Sequence, residues 1–266
     1  MPNYQAISRE RHASQRWQRY TSYAFAVHDA VIALAAAELP KAAMSLPMAF
    51  IEQEGSFVPV AVLGLQPGSN LFVAADGRWA GPYIPAAFRS YPFRLANTED
   101  GQQVLCIDEE SGVVTNGSTG ERFFNDDGQP AQATLDILSF LNQIEQSGLA
   151  TVAACAVLQK HQLIRAWPIT VKTDAGEQKI AGLFQIDEAA LSQLPGDALR
   201  ELAQAGALPV AYCQLLSMQH LSVLGQLAQA RAKVNAPVTA LPLSPAGDLD
   251  LEFLNRSDTI SFGNLF

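Results

Sequence analysis

Hydrophobic positions recur along this chain with two periods, and the change from one to the other marks its elements. Short apolar runs bounded by turn residues predict strands. Met48 to Gln53 and Phe57 to Leu65 flank Glu54-Gly55-Ser56 as a hairpin, and Pro67-Gly68 breaks the second arm. Leu71 to Val73 opens another pair that turns at Asp76-Gly77 and returns through Trp79 to Ile84. Val104 to Ile107 is a short strand. In the second half, Trp167, Ile169 and Val171 alternate with Thr170 and Lys172, Asp174-Ala175-Gly176 turns the chain, and Ile180 to Ile186 comes back. The apolar run Leu208 to Leu216 predicts a central strand.

Helical spacing takes over elsewhere. Leu135, Leu138 and Leu141 share a stripe that Ile137, Phe140 and Ile144 widen; Asp126-Asp127-Gly128 is positioned to cap this helix and Gly148 to end it. Ala30 to Ala43 predicts a short buried helix interrupted by Pro40. Asp187 stands at an N-cap before a helix through Leu191 and Leu194, and a further turn carries Leu199 and Leu202 to Gly206 as its C-cap. Met218 to Lys233 is a last amphipathic helix with Leu221, Leu224 and Ala228 inward. Glu109 to Gln129, rich in glycine and polar residues, predicts an exposed connection.

These elements predict an α+β fold, with antiparallel β-hairpins packed against several helices in a single compact unit. Residues 1–24 form an N-terminal arm docked by Trp17, Tyr20, Tyr23 and Phe25; residues 25–234 form the domain. Residues 235–266 are a proline-rich linker and a C-terminal tail. Leu249, Leu251 and Phe253 and the apolar stretch Phe262 to Phe266 predict that this tail adds a strand or packs into a groove, on its own subunit or on a neighbour's as a route to a homo-oligomer.

Composition removes several function classes. The chain is 48% hydrophobic and 16% charged, enough apolar residues to offset the entropy of ordering. A net charge of -9 opposes nucleic-acid binding. Cys106, Cys155 and Cys213 are odd in number and far apart, which predicts inert packing thiols in a reducing compartment. The first twenty residues lack the apolar core of a secretory signal, and the apolar run Leu149 to Leu158 is far short of a membrane span, so a cytoplasmic protein is expected.

Catalytic and metal constellations are missing from the pattern. There is no P-loop, dinucleotide fingerprint or Gly-x-Ser-x-Gly elbow, and His12, His28, His161 and His220 have no ligand partner at metal spacing. No catalytic residue, metal or cofactor is therefore assigned. The distinctive stretch runs from Trp79 to Phe93, where Pro82, Pro85 and Pro92 stiffen a backbone carrying Trp79, Tyr83, Phe88, Arg89, Tyr91 and Phe93. Rings supply contact area with little entropy to lose, and Arg grips a carboxylate through two hydrogen bonds. Trp79, Tyr83, Arg89, Tyr91, Phe93 and Glu38 are accordingly the expected ligand-binding residues. The competing expectation is that the prolines shape a chain crossing, the rings fill the core and Arg89 pairs with Glu38 or a similar acid.

The same stretch resembles the SapC-like family of bacterial proteins. Glu38-Leu-Pro-Lys-Ala-Ala, Leu46-Pro-Met-Ala-Phe50, Gly81-Pro-Tyr-Ile-Pro-Ala-Ala-Phe-Arg-Ser-Tyr-Pro-Phe93 and Gly182-Leu-Phe-Gln-Ile-Asp-Glu188 carry the resemblance, which covers most of residues 25–230. It implies association with the surface layer, from which the family is named. It also implies an accessory place beside tryptophan-halogenase-like proteins, cupin-like proteins and TonB-dependent receptors, and brings no catalytic residues. Three functions follow as expectations. The first is a non-catalytic binding or adaptor protein recognising a peptide or protein. The second is an enzyme acting on modified peptides or aromatic metabolites, with Glu38, His28, Arg89 and Tyr91 converging in one pocket. The third is a surface-layer component.

Overall fold

The fold, obtained as a computed structural model, is described for residues 3–98, 100–173 and 176–235. It is α+β, as the pattern predicts. A five-stranded antiparallel sheet runs Ile164–Ala166, Phe184–Ile186, Met48–Gln53, Ser56–Val62, Val31–Ala33. Its centre is the predicted hairpin. Gln53 pairs with Ser56 across Glu54 and Gly55, whose φ values of 51° and 77° put both turn residues in the left-handed region. That geometry matches the right-handed twist of the flanking strands.

Helices cover this sheet. The long helix Gln132–Lys160 packs on Ser56–Val62, the helix Ala207–Ser217 packs on Met48–Gln53 and Phe184–Ile186, and the two helices pack on each other. Phe50, Leu63, Phe72, Leu158, Ile186 and Leu202 are sealed from solvent in the resulting core. A second core joins Trp17, Phe93, Ile107 and Phe123 to Leu141 of the long helix. This helix, about 44 Å long at 1.5 Å per residue, therefore serves both cores along one face.

The second core rests on two small sheets, of which the sequence pattern announces only the strand at Val104 to Ile107. One is Tyr4–Ala6, Gln103–Asp108, Phe93–Asn97; the other is Val114–Thr115, Arg16–Trp17, Glu121–Arg122. The predicted connection from Glu109 to Gln129 thus holds two strands and the fully buried Phe123. Its glycines mask the strands, which are only two residues each and too short for any periodicity.

Several helical expectations need correction. Val31–Ala33 is an edge strand, not helix; only Leu39–Ala42 is α-helical, and Pro40 starts it instead of interrupting it. Gly148 does not end the long helix: glycine there costs about 1 kcal/mol, and burial of Thr151, Ala154, Cys155 and Leu158 beyond it outweighs that. Asp126-Asp127-Gly128 forms a turn of its own, closed by Gly128 N–H to Asn125 C=O, and the helix begins later with Ala131 at the N-cap. Leu208 to Leu216 is helix and not strand. Ala207, Val210, Ala211, Gln214 and Ser217 are buried at helical spacing, a pattern hidden by the apolar residues between them.

In the second half, Ile169–Thr173 pairs with Gly176–Ile180 as a separate two-stranded ribbon. Gly182, at φ 84°, breaks the expected return, and Phe184–Ile186 joins the main sheet as a new strand. Asp187 caps Glu188–Ser192 by accepting the Ala190 N–H at 3.1 Å, as predicted, and Gly206 closes the next helix at φ 68°. The last helix is Leu221–Asn235, with Leu224 buried. Residues 1–228 form one compact unit and residues 229–266 a second, described only as far as residue 235. The predicted linker and tail lie outside the described residues, and so does the turn residue pair 174–175. No helix among the described residues is long and apolar enough to cross a membrane.

Candidate functional site

The stretch from Trp79 to Phe93 links the two cores, and its local chemistry decides which side chains face out. Trp79 pairs backbone-to-backbone with Val73 in a minimal hairpin closed over Asp76-Gly77. Beyond it the prolines forbid a continuing ladder. Pro85 instead takes the N-cap of a one-turn helix, Ala86–Arg89, and Phe93 opens the strand Phe93–Asn97.

Trp79 is half-buried, stacked on Phe72 at 5.4 Å and edge-on to Phe88 at 5.7 Å, and its Nε1–H donates to the Tyr83 carbonyl at 2.8 Å. Phe93, 3% exposed, meets Trp17 edge-on at 4.8 Å. These two rings and the buried Phe88 are scaffold, as the chain-crossing expectation has it, whereas Tyr83, Arg89 and Tyr91 are not sealed in.

Glu38 organises the neighbouring surface. It is 6% exposed, at the end of a 3-10 turn formed by residues 36–38. Its Oε1 accepts the Ala35 N–H at 3.0 Å, half of a capping box; Oε2 accepts the Tyr83 hydroxyl at 2.8 Å and the Ala86 N–H at 2.7 Å. One carboxylate thus caps two helical starts, where a negative charge is favoured. Burial, and then the hydrogen bond to Glu38, push the Tyr83 hydroxyl up to about 12, so it stays protonated as a donor.

Arg89 is exposed and does not form an ion pair with Glu38. Its Nε–H donates to the Ile84 carbonyl at 3.2 Å, Nη2 reaches the Tyr83 hydroxyl at 3.4 Å, and the guanidinium lies 4.9 Å from the Phe140 ring centre. It is braced by a carbonyl and a ring, with donor capacity left over. Together with Lys41, Ser147 and Gln143 it lines a cavity of about 210 Å³ whose three walls are the residues around Glu38, the Tyr83–Arg89 stretch and the middle of the long helix. Neither Arg89 nor Lys41 makes an ion pair among the described residues.

Tyr91 faces elsewhere. It stacks on Phe25 at 3.7 Å with the planes 8° apart and lines a larger cleft of about 590 Å³. His28 lines neither cavity; its Nδ1 lies 3.1 Å from the Gly68 carbonyl. The four polar groups of the enzyme expectation are therefore dispersed: Glu38 and Arg89 share one cavity, Tyr91 borders another and His28 stands apart. Cys106 and Cys155 are buried and Cys213 half-buried, all as free thiols; burial raises each, Cys155 to about 12. Among the described residues no cluster of His, Cys, Asp or Glu is arranged to hold a metal.

Lys41 and Phe140 were not among the expected binding residues. Lys41 lies three residues after Glu38, on the next helical turn, a spacing that places both at one surface. Phe140 reads as part of an apolar stripe wider than one core contact needs, and its outer edge is the ring under Arg89.

No curated protein and no solved structure matches the chain. The family comparison does find a match, spanning residues 7–224 and so taking in the hairpin sheet, both cores and the whole Glu38–Arg89 surface: the chain belongs to the SapC family.

Proposed function

We propose that this SapC-family protein is a non-catalytic binding or adaptor protein that recognises a peptide or protein partner by gripping a carboxylate at Arg89 and Lys41. The observation that carries this reading is the accessible, braced guanidinium of Arg89 beside a second cation, with no acid paired to either among the described residues. A buried arginine engaged by Glu38 would have left nothing to bind with. Here Glu38 is engaged by Tyr83, Ala35 and Ala86 instead, which holds the cavity open and fixes the stretch carrying Arg89. A pre-set guanidinium loses little freedom on binding a planar carboxylate. The accessory role implied by the family resemblance is of this kind.

The test is native co-purification from the protein's own cells, comparing wild type with Arg89→Ala and Lys41→Ala. Both side chains are exposed, so circular dichroism should show the fold intact. The expected result is loss of the wild-type partner from both variants. Retention of that partner in wild-type amounts by Arg89→Ala would overturn the assignment.

A further inference from the structure

We infer that the larger cleft, on the Tyr91 side of the same stretch, binds a cationic side chain, the guanidinium or ammonium of an Arg or Lys in a peptide. This deepens the peptide-binding reading and rests on it. The cleft, of about 590 Å³, is of the size that takes a long side chain with its adjoining backbone. Its walls combine rings, Tyr4, Phe25 and Tyr91, with carboxylates, Asp29, Asp108 and Glu110, and no Lys, Arg or His lines it.

None of the three carboxylates forms an ion pair among the described residues. Asp108 is 5% exposed; its Oδ1 accepts the N–H groups of Asn3 and Glu110, at 2.8 and 3.1 Å, while Oδ2 has no donor among the described residues. The carboxylates of Asp29 and Glu110 meet no donor among the described residues either, and burial raises the Asp29 carboxyl above its usual range. Like charges gathered beside apolar walls repel each other and attract an opposite charge more strongly than they would in open water.

The rings add a second attraction. The stacked Phe25 and Tyr91 both line the cleft, and a cation beside a ring face is drawn by its quadrupole. The fold already contains one such contact on a ring that borders the cleft: the Arg94 guanidinium, which is not itself a lining group, sits 3.7 Å from the centre of the Tyr4 ring. A bare divalent ion is a poorer fit, because no metal-holding group of acids occurs among the described residues. An organic cation on an apolar stem uses both the rings and the charge.

The experiment is calorimetric titration of the full chain with N-acetyl-arginine amide, N-acetyl-lysine amide and, as the neutral control, N-acetyl-glutamine amide. The two cationic amides should bind at least about tenfold more tightly than the control, the combined size expected of a charge contact and a cation–π contact. Asp29→Asn with Asp108→Asn should weaken the arginine probe by about tenfold, since the amides keep the shape and remove the charge. Should that double variant unfold, Glu110→Gln, on an exposed side chain, serves in its place and should weaken the probe about threefold. Equal binding of all three amides, no binding of any, or wild-type affinity in the folded variants would each overturn the inference. Arg89→Ala separates the two proposals: it should leave the arginine probe unaffected while abolishing partner capture.

Discussion

Replacing Glu38 by Gln tests the keystone of the Arg89 surface at constant volume. The carboxylate accepts three hydrogen bonds, one at Oε1 and two at Oε2. An amide has one acceptor oxygen. Placed at the Oε2 position, that oxygen keeps the Tyr83 and Ala86 donors, but the amide nitrogen then confronts the Ala35 N–H, donor to donor at about 3.0 Å. One charge-assisted bond is lost, worth about 1.5–3 kcal/mol. The two bonds that remain weaken as the charge disappears, while the penalty for burying a charge is relieved; these opposing changes are of similar size. The net expectation is a loss of about 2 kcal/mol. Glu38→Ala, which removes all three acceptors and leaves a void, should lose about 4 kcal/mol. Urea unfolding at neutral pH, followed by tryptophan fluorescence, reads the change as a lower midpoint at unchanged slope. Combination with Tyr83→Phe should give less than the sum of the single losses, because the two share a bond. A Glu38→Gln protein within about 0.5 kcal/mol of wild type would refute the reasoning, since that is the scale of an ordinary surface change.

Two further expectations concern the second core. Phe123→Ala should destabilise the protein by about 3–5 kcal/mol in the same urea assay, and a smaller effect, typical of a loop, would contradict its sealed position against His12 and the small sheets. His12 is fully buried, and burial, the largest influence on it, holds its imidazole below the usual 6.5 despite the Glu109 carboxylate nearby. The unfolded chain then takes up a proton near pH 6.5 that the folded chain resists, so stability falls as pH drops from 6.5 toward the folded value. Wild type should lose more stability between pH 7 and pH 5 than His12→Gln; equal losses would show that His12 is not the responsible group. Glu109, held below its usual range first by the hydrogen bond from Arg11, acts only lower, as pH falls below 4.5.

The legible part of the fold is the part written in short range. Glu54-Gly55 specifies a two-residue turn, and the hairpin around it is placed to within three residues by that signal alone. Asp187 and Gly206 are equally local. Where the decision belongs to partners far away in the chain, local signals mislead. Gly148 stays helical because the residues beyond it have a sheet to pack on, and Ala207–Ser217 is helix because Gln214 reaches across to the Ile186 N–H and the Met48 carbonyl. The site follows the same division. Proline spacing exposes a stiff stretch, but that Glu38 would serve as acceptor for Tyr83, 45 residues away, is a property of the assembled fold. So is the separation of Arg89 from Tyr91: they are two residues apart, yet they border different cavities.

That separation follows from the one-turn helix Ala86–Arg89. Once Pro85 forces the chain into a new turn, Phe88 must point inward, and it does, at 3% exposure against Trp79 and Phe25. Arg89, next along the helix, is then turned some 100° away toward the long helix, and Tyr91, beyond the last turn, is carried to the opposite flank beside Phe25. The buried rings and the surface groups are therefore not rival interpretations of one proline-rich stretch. Trp79, Phe88 and Phe93 anchor it in both cores, and the anchoring is what holds an exposed guanidinium on one flank and an acid-lined ring surface on the other. A partner carrying a carboxylate and a cation would meet two groups of donors and acceptors already in place. Because such a partner would order almost nothing in the protein by binding, loosening the anchors should weaken recognition even though they touch no ligand.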